Sequence, residues 1–131
     1  MQKSSIARRV LAAGSLVAGV LVAAQPAAAA EVTYGCEYPR VCFYGNSTDA
    51  SHKRNPTAGY KDAGYWQNLG PNSRGSYAVF NSRRDDTALL KFDLAGASYT
   101  MCVPPRKYFH LNPTEYPGRV MKLMISDNEN C

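Results

Sequence analysis

The stretch Thr87-Ala88-Leu89-Leu90-Lys91-Phe92-Asp93-Leu94-Ala95-Gly96-Ala97-Ser98-Tyr99-Thr100-Met101-Cys102-Val103-Pro104-Pro105 decides the fold class. Ala88, Leu90 and Phe92 recur with a period of two, and so do Tyr99, Met101 and Val103. That period puts each trio on one face of a β-strand. Ala95-Gly96-Ala97 supplies the turn between the strands. Pro104-Pro105 ends the second one, because proline has no N–H to give to a ladder. The same signature recurs at Val41-Cys42-Phe43-Tyr44, at residues 75–81 and at residues 119–126, where Met121, Leu123 and Ile125 share a face. Turn-rich stretches at 46–64, 71–75, 82–86 and 112–118 separate these runs. No window carries a helical stripe, so the sequence reads as all-β, a small sandwich.

A weak internal repeat refines this expectation. Val41-Cys42-Phe43-Tyr44, residues 64–69 and residues 75–80 form one half. Residues 88–92, 98–103 and 119–125 form the other, offset by roughly 45 positions. The pattern predicts one Greek-key unit used twice. The first half carries a longer hydrophilic insertion at 46–58, with His52, Lys53 and Arg54, which reads as a solvated spacer or part of a contact surface.

The chain has 131 residues, net charge +5, 45% hydrophobic residues and four cysteines. These totals mix two unlike pieces. Residues 1–30 hold Lys3, Arg8 and Arg9, no acid, and an Ala/Val/Leu run that ends at Gln25-Pro26 before Ala28-Ala29-Ala30. That is the layout of a cleaved signal peptide, with an apolar stretch too short for a membrane span. The remaining residues 31–131 are about 100 in number with a net charge of about +2, enough for one domain. The near balance of charge argues against a nucleic-acid partner, and the aromatic content against disorder. The expectation is a secreted, extracellular protein, free of the membrane after signal cleavage and monomeric.

Export gives the cysteines their meaning, since an even number in an oxidising compartment implies disulfides. Three pairings are possible. Cys36 and Cys42 flank a short turn and Cys102 and Cys131 lie together in the C-terminal half, which favours Cys36–Cys42 and Cys102–Cys131. Loop-closure entropy assigns about 2.3 kcal/mol to the small loop and about 3.5 kcal/mol to the large one. Zinc is not expected, because no Cys-x-x-Cys spacing occurs and only His52 and His110 could join the cysteines.

The residues also resemble a family. An Ala-rich leader precedes a Cys-x5-Cys-Phe-Tyr start (Cys36 to Tyr44), and Arg74-Gly75-Ser76-Tyr77-Ala78-Val79-Phe80-Asn81 follows in mid-chain. Arg84-Asp85-Asp86-Thr87-Ala88, Cys102-Val103-Pro104-Pro105 and a terminal Cys131 complete the order. From Gly35 to Cys131 the chain resembles the small secreted actinomycete metalloprotease inhibitors of βγ-crystallin-like fold. The resemblance implies two Greek keys packed as a sandwich and a secreted protein that inhibits an extracellular protease through a substrate-like loop. Met101, Cys102, Val103, Pro104 and Pro105 are the candidate inhibitory loop. Cys102 anchors one side, two prolines stiffen the other, and Val103 is the apolar side chain for a protease pocket. The family's loop is closed by a nearby second cysteine, which this chain lacks.

Crystallin-like domains often bind calcium, but the corresponding stretches here, Pro71-Asn72-Ser73-Arg74-Gly75-Ser76 and Glu115-Tyr116-Pro117-Gly118-Arg119-Val120, lack the needed carboxylates. No metal and no cofactor is expected. Asp85-Asp86 and Asp127-Asn128-Glu129 read as solvated turns, the first paired with Arg83 or Arg84. No catalytic motif occurs, and His52 and His110 stand apart from any nucleophile pattern, so no enzyme is expected. The alternative function is a non-catalytic carbohydrate or cell-wall binding module, suggested by Tyr60, Tyr65 and Trp66 beside the polar insertion.

Overall fold

A computed structural model describes residues 19–131. The leader assigned to 1–30 falls largely outside these residues, and 19–30 carry no helix or strand. The first elements are a two-stranded ribbon, β1 (Val32–Thr33) and β2 (Cys36–Glu37), followed by β3 (Val41–Tyr44), a short helix α1 (Ser47–His52), and β4 (Ala58–Tyr60). Then come β5 (Gln67–Asn68), β6 (Ala78–Asn81), β7 (Thr87–Leu94), β8 (Ala97–Val103), β9 (Tyr108–His110) and β10 (Arg119–Ser126). The described residues are all-β apart from α1. No helix among the described residues is long and apolar enough to cross a membrane.

Two four-stranded antiparallel sheets form, in the orders β4-β3-β6-β9 and β5-β10-β7-β8. Each half of the chain pairs its first strand with its second and brings its fourth back beside its first. Each lends its third strand to the other half's sheet, β5 to the C-terminal sheet and β9 to the N-terminal one. The repeat therefore has four strands per half. Residues 58–60 and 108–110 escape the pattern because strands of three residues are too short to show a period. The strand expected over 75–81 starts only at Ala78, since 71–75 fold as a turn that Ser73 and Arg74 close by donating backbone bonds to the Gly70 carbonyl.

Alternation in β7 and β8 is as read from the sequence. In β10 a register shift between Val120 and Lys122 brings Val120, in place of the expected Met121, beside Leu123 and Ile125 in the core, and leaves Met121 half-buried. Ala88, Leu90 and Phe92 of β7, Met101 and Val103 of β8, and Val120, Leu123 and Ile125 of β10 are buried together with Val41, Phe43 and Val79 from the facing sheet. Fully burying side chains of this size contributes roughly 1.5–3 kcal/mol each. The N-terminal sheet behaves differently. All four residues of β3 and all four of β6 are buried, because a second cluster covers the opposite face. Cys36, Cys42, Tyr44, Ala50, Ala78 and Phe80 make that cluster, with Tyr108 against it. A strand covered on both faces has no reason to alternate.

The cover comes from the insertion, so its spacer reading is corrected. Asn46 caps α1, its Oδ1 accepting from the backbone N–H of Thr48 at 2.9 Å and Asp49 at 3.1 Å. Ala50 is buried, and its carbonyl accepts the Tyr108 hydroxyl at 2.6 Å. Lys53 ends the helix in the left-handed region, with its Nζ 5.2 Å from the ring centres of both Tyr34 and Tyr108. Six residues with one buried position cannot display a helical stripe.

Both expected disulfides are formed, Cys36–Cys42 and Cys102–Cys131, with Cα separations of 5.9 and 5.6 Å. The second ties the last residue to β8. Gly118 precedes β10 with φ +93, and a Cβ there would meet the Asp93 carbonyl oxygen of β7. Gly118→Ala is expected to cost more than about 1 kcal/mol, read from urea unfolding midpoints. The Cys102→Ser/Cys131→Ser double variant is expected to lose about 3.5 kcal/mol in the same measurement.

Candidate functional site

The segment named from sequence as an inhibitory loop does not present the side chain assigned to it. Met101 and Val103 point into the core, with Val103 fully buried. Met101, Cys102 and Val103 pair in register with Leu90, Leu89 and Ala88 of β7. Val103 is thus a core residue of β8, and the assignment of its side chain to a protease pocket is corrected. The alternation that places Val103 beside Met101 already pointed to this outcome.

Beyond Val103 the chain turns. Pro104, Pro105, Arg106 and Lys107 lead from β8 to β9, with Arg106 at φ +62. Buried Asn81, the last residue of β6, holds this turn from beneath. Its Nδ2 donates to the carbonyls of Asp86 at 2.8 Å, Val103 at 3.2 Å and Pro104 at 3.4 Å. Its backbone N–H donates to the Lys107 carbonyl, and its own carbonyl accepts from Arg106 N–H at 2.9 Å. Arg106 also donates from Nη1 to the Ser82 carbonyl at 3.2 Å and pairs with Glu31. Arg84 joins the same carboxylate at 2.6 Å. Hydrogen bonds from Arg84 and then Arg106 hold the Glu31 carboxyl below the usual carboxylate range. Arg106 and Lys107 remain exposed at the surface of an otherwise fixed turn. Sequence reading missed Asn81 because a polar residue ending a strand carries no signal of the carbonyls it will meet.

A second concave feature lies by β5, β10 and β7. It encloses about 450 Å³ and is lined by Asn68, Arg74, Lys91, Asp93, Ser98 and Lys122, among others. The β10 register places Lys122 opposite Lys91 of β7 and opposite Asn68 of β5. The Lys91 Nζ lies 4.7 Å from the Trp66 ring centre. Trp66 and Tyr65 are exposed, at 36% and 54%. Tyr60, grouped with them in the sequence, is not. Its ring packs edge-on against Phe43, and its hydroxyl bonds Ser73 Oγ at 2.6 Å and accepts the Gly70 N–H.

His52 sits exposed on α1, its Nδ1 within 2.8 Å of the Thr48 carbonyl, while His110 ends β9 against the edge of Tyr108. Asp86 pairs with Arg83, and Arg84 reaches Glu31 instead of Asp85. Among the described residues no group of three or more His, Cys, Asp or Glu is arranged to hold a metal ion. No family model, curated protein or solved structure matches this chain.

The aromatic cluster under α1 supplies a pH test. Burial, reinforced by Tyr34, pushes the Tyr108 phenol up to about 12, and burial raises Tyr44 as well. A phenol with a raised pKa in the folded state keeps its proton longer there than in the unfolded chain. Its contribution is therefore complete below pH 10 and is lost as pH rises through about 12. Denaturation midpoints are expected to fall over that window, together with the appearance of tyrosinate absorbance. Tyr108→Phe is expected to flatten the fall and to cost about 1 kcal/mol at neutral pH, through the lost bond to Ala50.

Proposed function

We propose that this chain is a secreted, non-catalytic inhibitor of an extracellular protease, a metalloprotease by its family resemblance, built on a crystallin-like pair of Greek keys. The strand orders support the fold part of this reading. A first strand flanked by its second and fourth, with the third given to the opposite sheet, is what two interlocked Greek keys would produce. Two disulfides accord with an oxidising environment and with export.

The observation that carries the inhibitor reading is the turn held by Asn81. An inhibitor binds well when its contact segment is already fixed, since little conformational freedom is then lost on docking. The Pro104-Pro105-Arg106-Lys107 turn has one side chain bonding two of its flanking carbonyls from beneath, and two prolines restrict its backbone. Both ends are held as well. β8 is laddered to β7 and stapled by Cys102–Cys131, and β9 is laddered to β6. A cut within the turn would leave its new ends in place, so the enzyme would gain little by making it. Pro105, Arg106 and Lys107, rather than Val103, are the contact residues in this reading.

Titration of the purified protein against thermolysin-like, subtilisin-like and papain-like proteases tests it. Inhibition of the metalloprotease is expected at micromolar concentrations. A Pro105→Gly/Arg106→Glu variant with an unchanged unfolding midpoint is expected to inhibit at least tenfold more weakly, a loss of about 1.4 kcal/mol or more. Failure of the native protein to inhibit at micromolar excess sinks the reading. Equal inhibition by the variant sinks the choice of turn.

A further inference from the structure

We infer that the groove beside β5, β10 and β7 is a binding site for an acidic glycan, a sugar chain that bears carboxylates. Like charges directly opposite on neighbouring strands destabilise a sheet, and their Cβ atoms lie only about 5 Å apart. Lys91 and Lys122 hold such a position, and Arg74 adds a third cation to the same concave surface. Asp93 is the only acid that lines it.

Arg54, Arg83, Arg84 and Arg106 make ion pairs; Arg74, Lys91 and Lys122 are among the cations that make none among the described residues, and these three share one concave wall. A concave wall focuses the field of uncompensated charges onto whatever enters it. An anionic group placed between Lys91 and Lys122 would turn their repulsion into a shared attraction.

The groove also has features a bare anion would not need. Trp66 adjoins the groove's lining at Lys91, whose Nζ lies over its ring, and the part-exposed ring surface that Lys91 leaves open is a flat apolar plate against which the C–H face of a sugar ring can stack. Asn68 and Ser98 offer donors and acceptors for hydroxyl groups, and the Asp93 carboxylate can only accept, which suits a hydroxyl. A nucleic acid is disfavoured by the charge of the domain. It would require a long cationic track, and the net charge of residues 31–131 is only about +2. The alternative carbohydrate reading of the sequence thus acquires a location and a charge, independent of the Asn81 turn.

Calorimetric titration with a polygalacturonate oligosaccharide, its fully methyl-esterified form, a neutral cello-oligosaccharide and polyphosphate separates the cases. The acidic oligosaccharide is expected to bind, at least tenfold more tightly than its ester, and to weaken as salt is raised. Lys91→Gln/Lys122→Gln is expected to lose at least tenfold in that affinity while its thermal midpoint stays equal or rises, and Trp66→Ala to lose at least fivefold. Equal binding of acid and ester overturns the acidic assignment in favour of a neutral sugar site. Polyphosphate binding as tight as the glycan, with no effect of Trp66→Ala, overturns it in favour of a general anion patch. Binding of none of the four overturns the site. The Lys91→Gln/Lys122→Gln variant should inhibit proteases like the native protein, which keeps this inference separate from the inhibitor reading.

Discussion

Two chain crossings between the sheets meet at Asn81, and the exchange of strands depends on how that meeting is satisfied. β6 ends there and leads into β7 past Asp86, and β8 leaves for β9 through Pro104. Between them the crossings turn the carbonyls of Asp86, Val103 and Pro104 toward the Asn81 side chain. Buried carbonyls without donors cost on the order of 1–3 kcal/mol each. One amide side chain covers all three, and its Oδ1 accepts the Arg83 N–H at 3.1 Å. Asn81 is fully buried yet has no unsatisfied side-chain atom. A leucine, forked like asparagine, would occupy the site and leave these carbonyls without a donor. The polar residue is thus a condition of the topology, and the rigidity of the Pro104–Lys107 turn is a consequence of it.

Disulfides and hydrogen bonds divide the remaining work by location. Cys36–Cys42 lies under the N-terminal ribbon, within the cluster that also holds Tyr44 and Phe80. Cys102–Cys131 lies on the other face of β8 from Met101 and Val103, where a short domain would otherwise let its last residues fray. A domain of about 100 residues buries a limited core, and closing these loops in the unfolded chain contributes stability the core alone would not reach.

The parts legible in the sequence were those with enough length to show a period. β7, β8 and β10 run seven or eight residues, and the inward faces of β7 and β8 are the ones the alternation named, while in β10 the bulge after Val120 moved Met121 off the face where strict alternation had put it. Both disulfides were legible because near neighbours in each half have the shortest loops to close. What escaped was set by tertiary contact. β4, β5 and β9 have two or three residues each and exist only because a longer strand lies beside them. α1 is fixed by Asn46 and by the apolar surface it covers. At the candidate site the location of the turn was legible from Pro104-Pro105. Which side chains it presents was not, because that depends on Asn81 and Glu31, far away in sequence.

The two halves repeat one plan, so the differences between them show where the fold carries something beyond itself. The outer face of β4-β3-β6-β9 is closed by α1 and the N-terminal ribbon, and its strands read as unbroken apolar runs. Among the described residues no helix or ribbon covers the outer face of β5-β10-β7-β8, and β7 and β8 alternate along it. An uncovered face needs only polar side chains to be soluble, and a mixture of signs would serve best, since opposite charges across strands add stability. The chain instead places lysine against lysine on that face and sets a tryptophan beside them. Neither solubility nor folding asks for that choice. A ligand that supplies the missing negative charge and a ring face to stack would account for both.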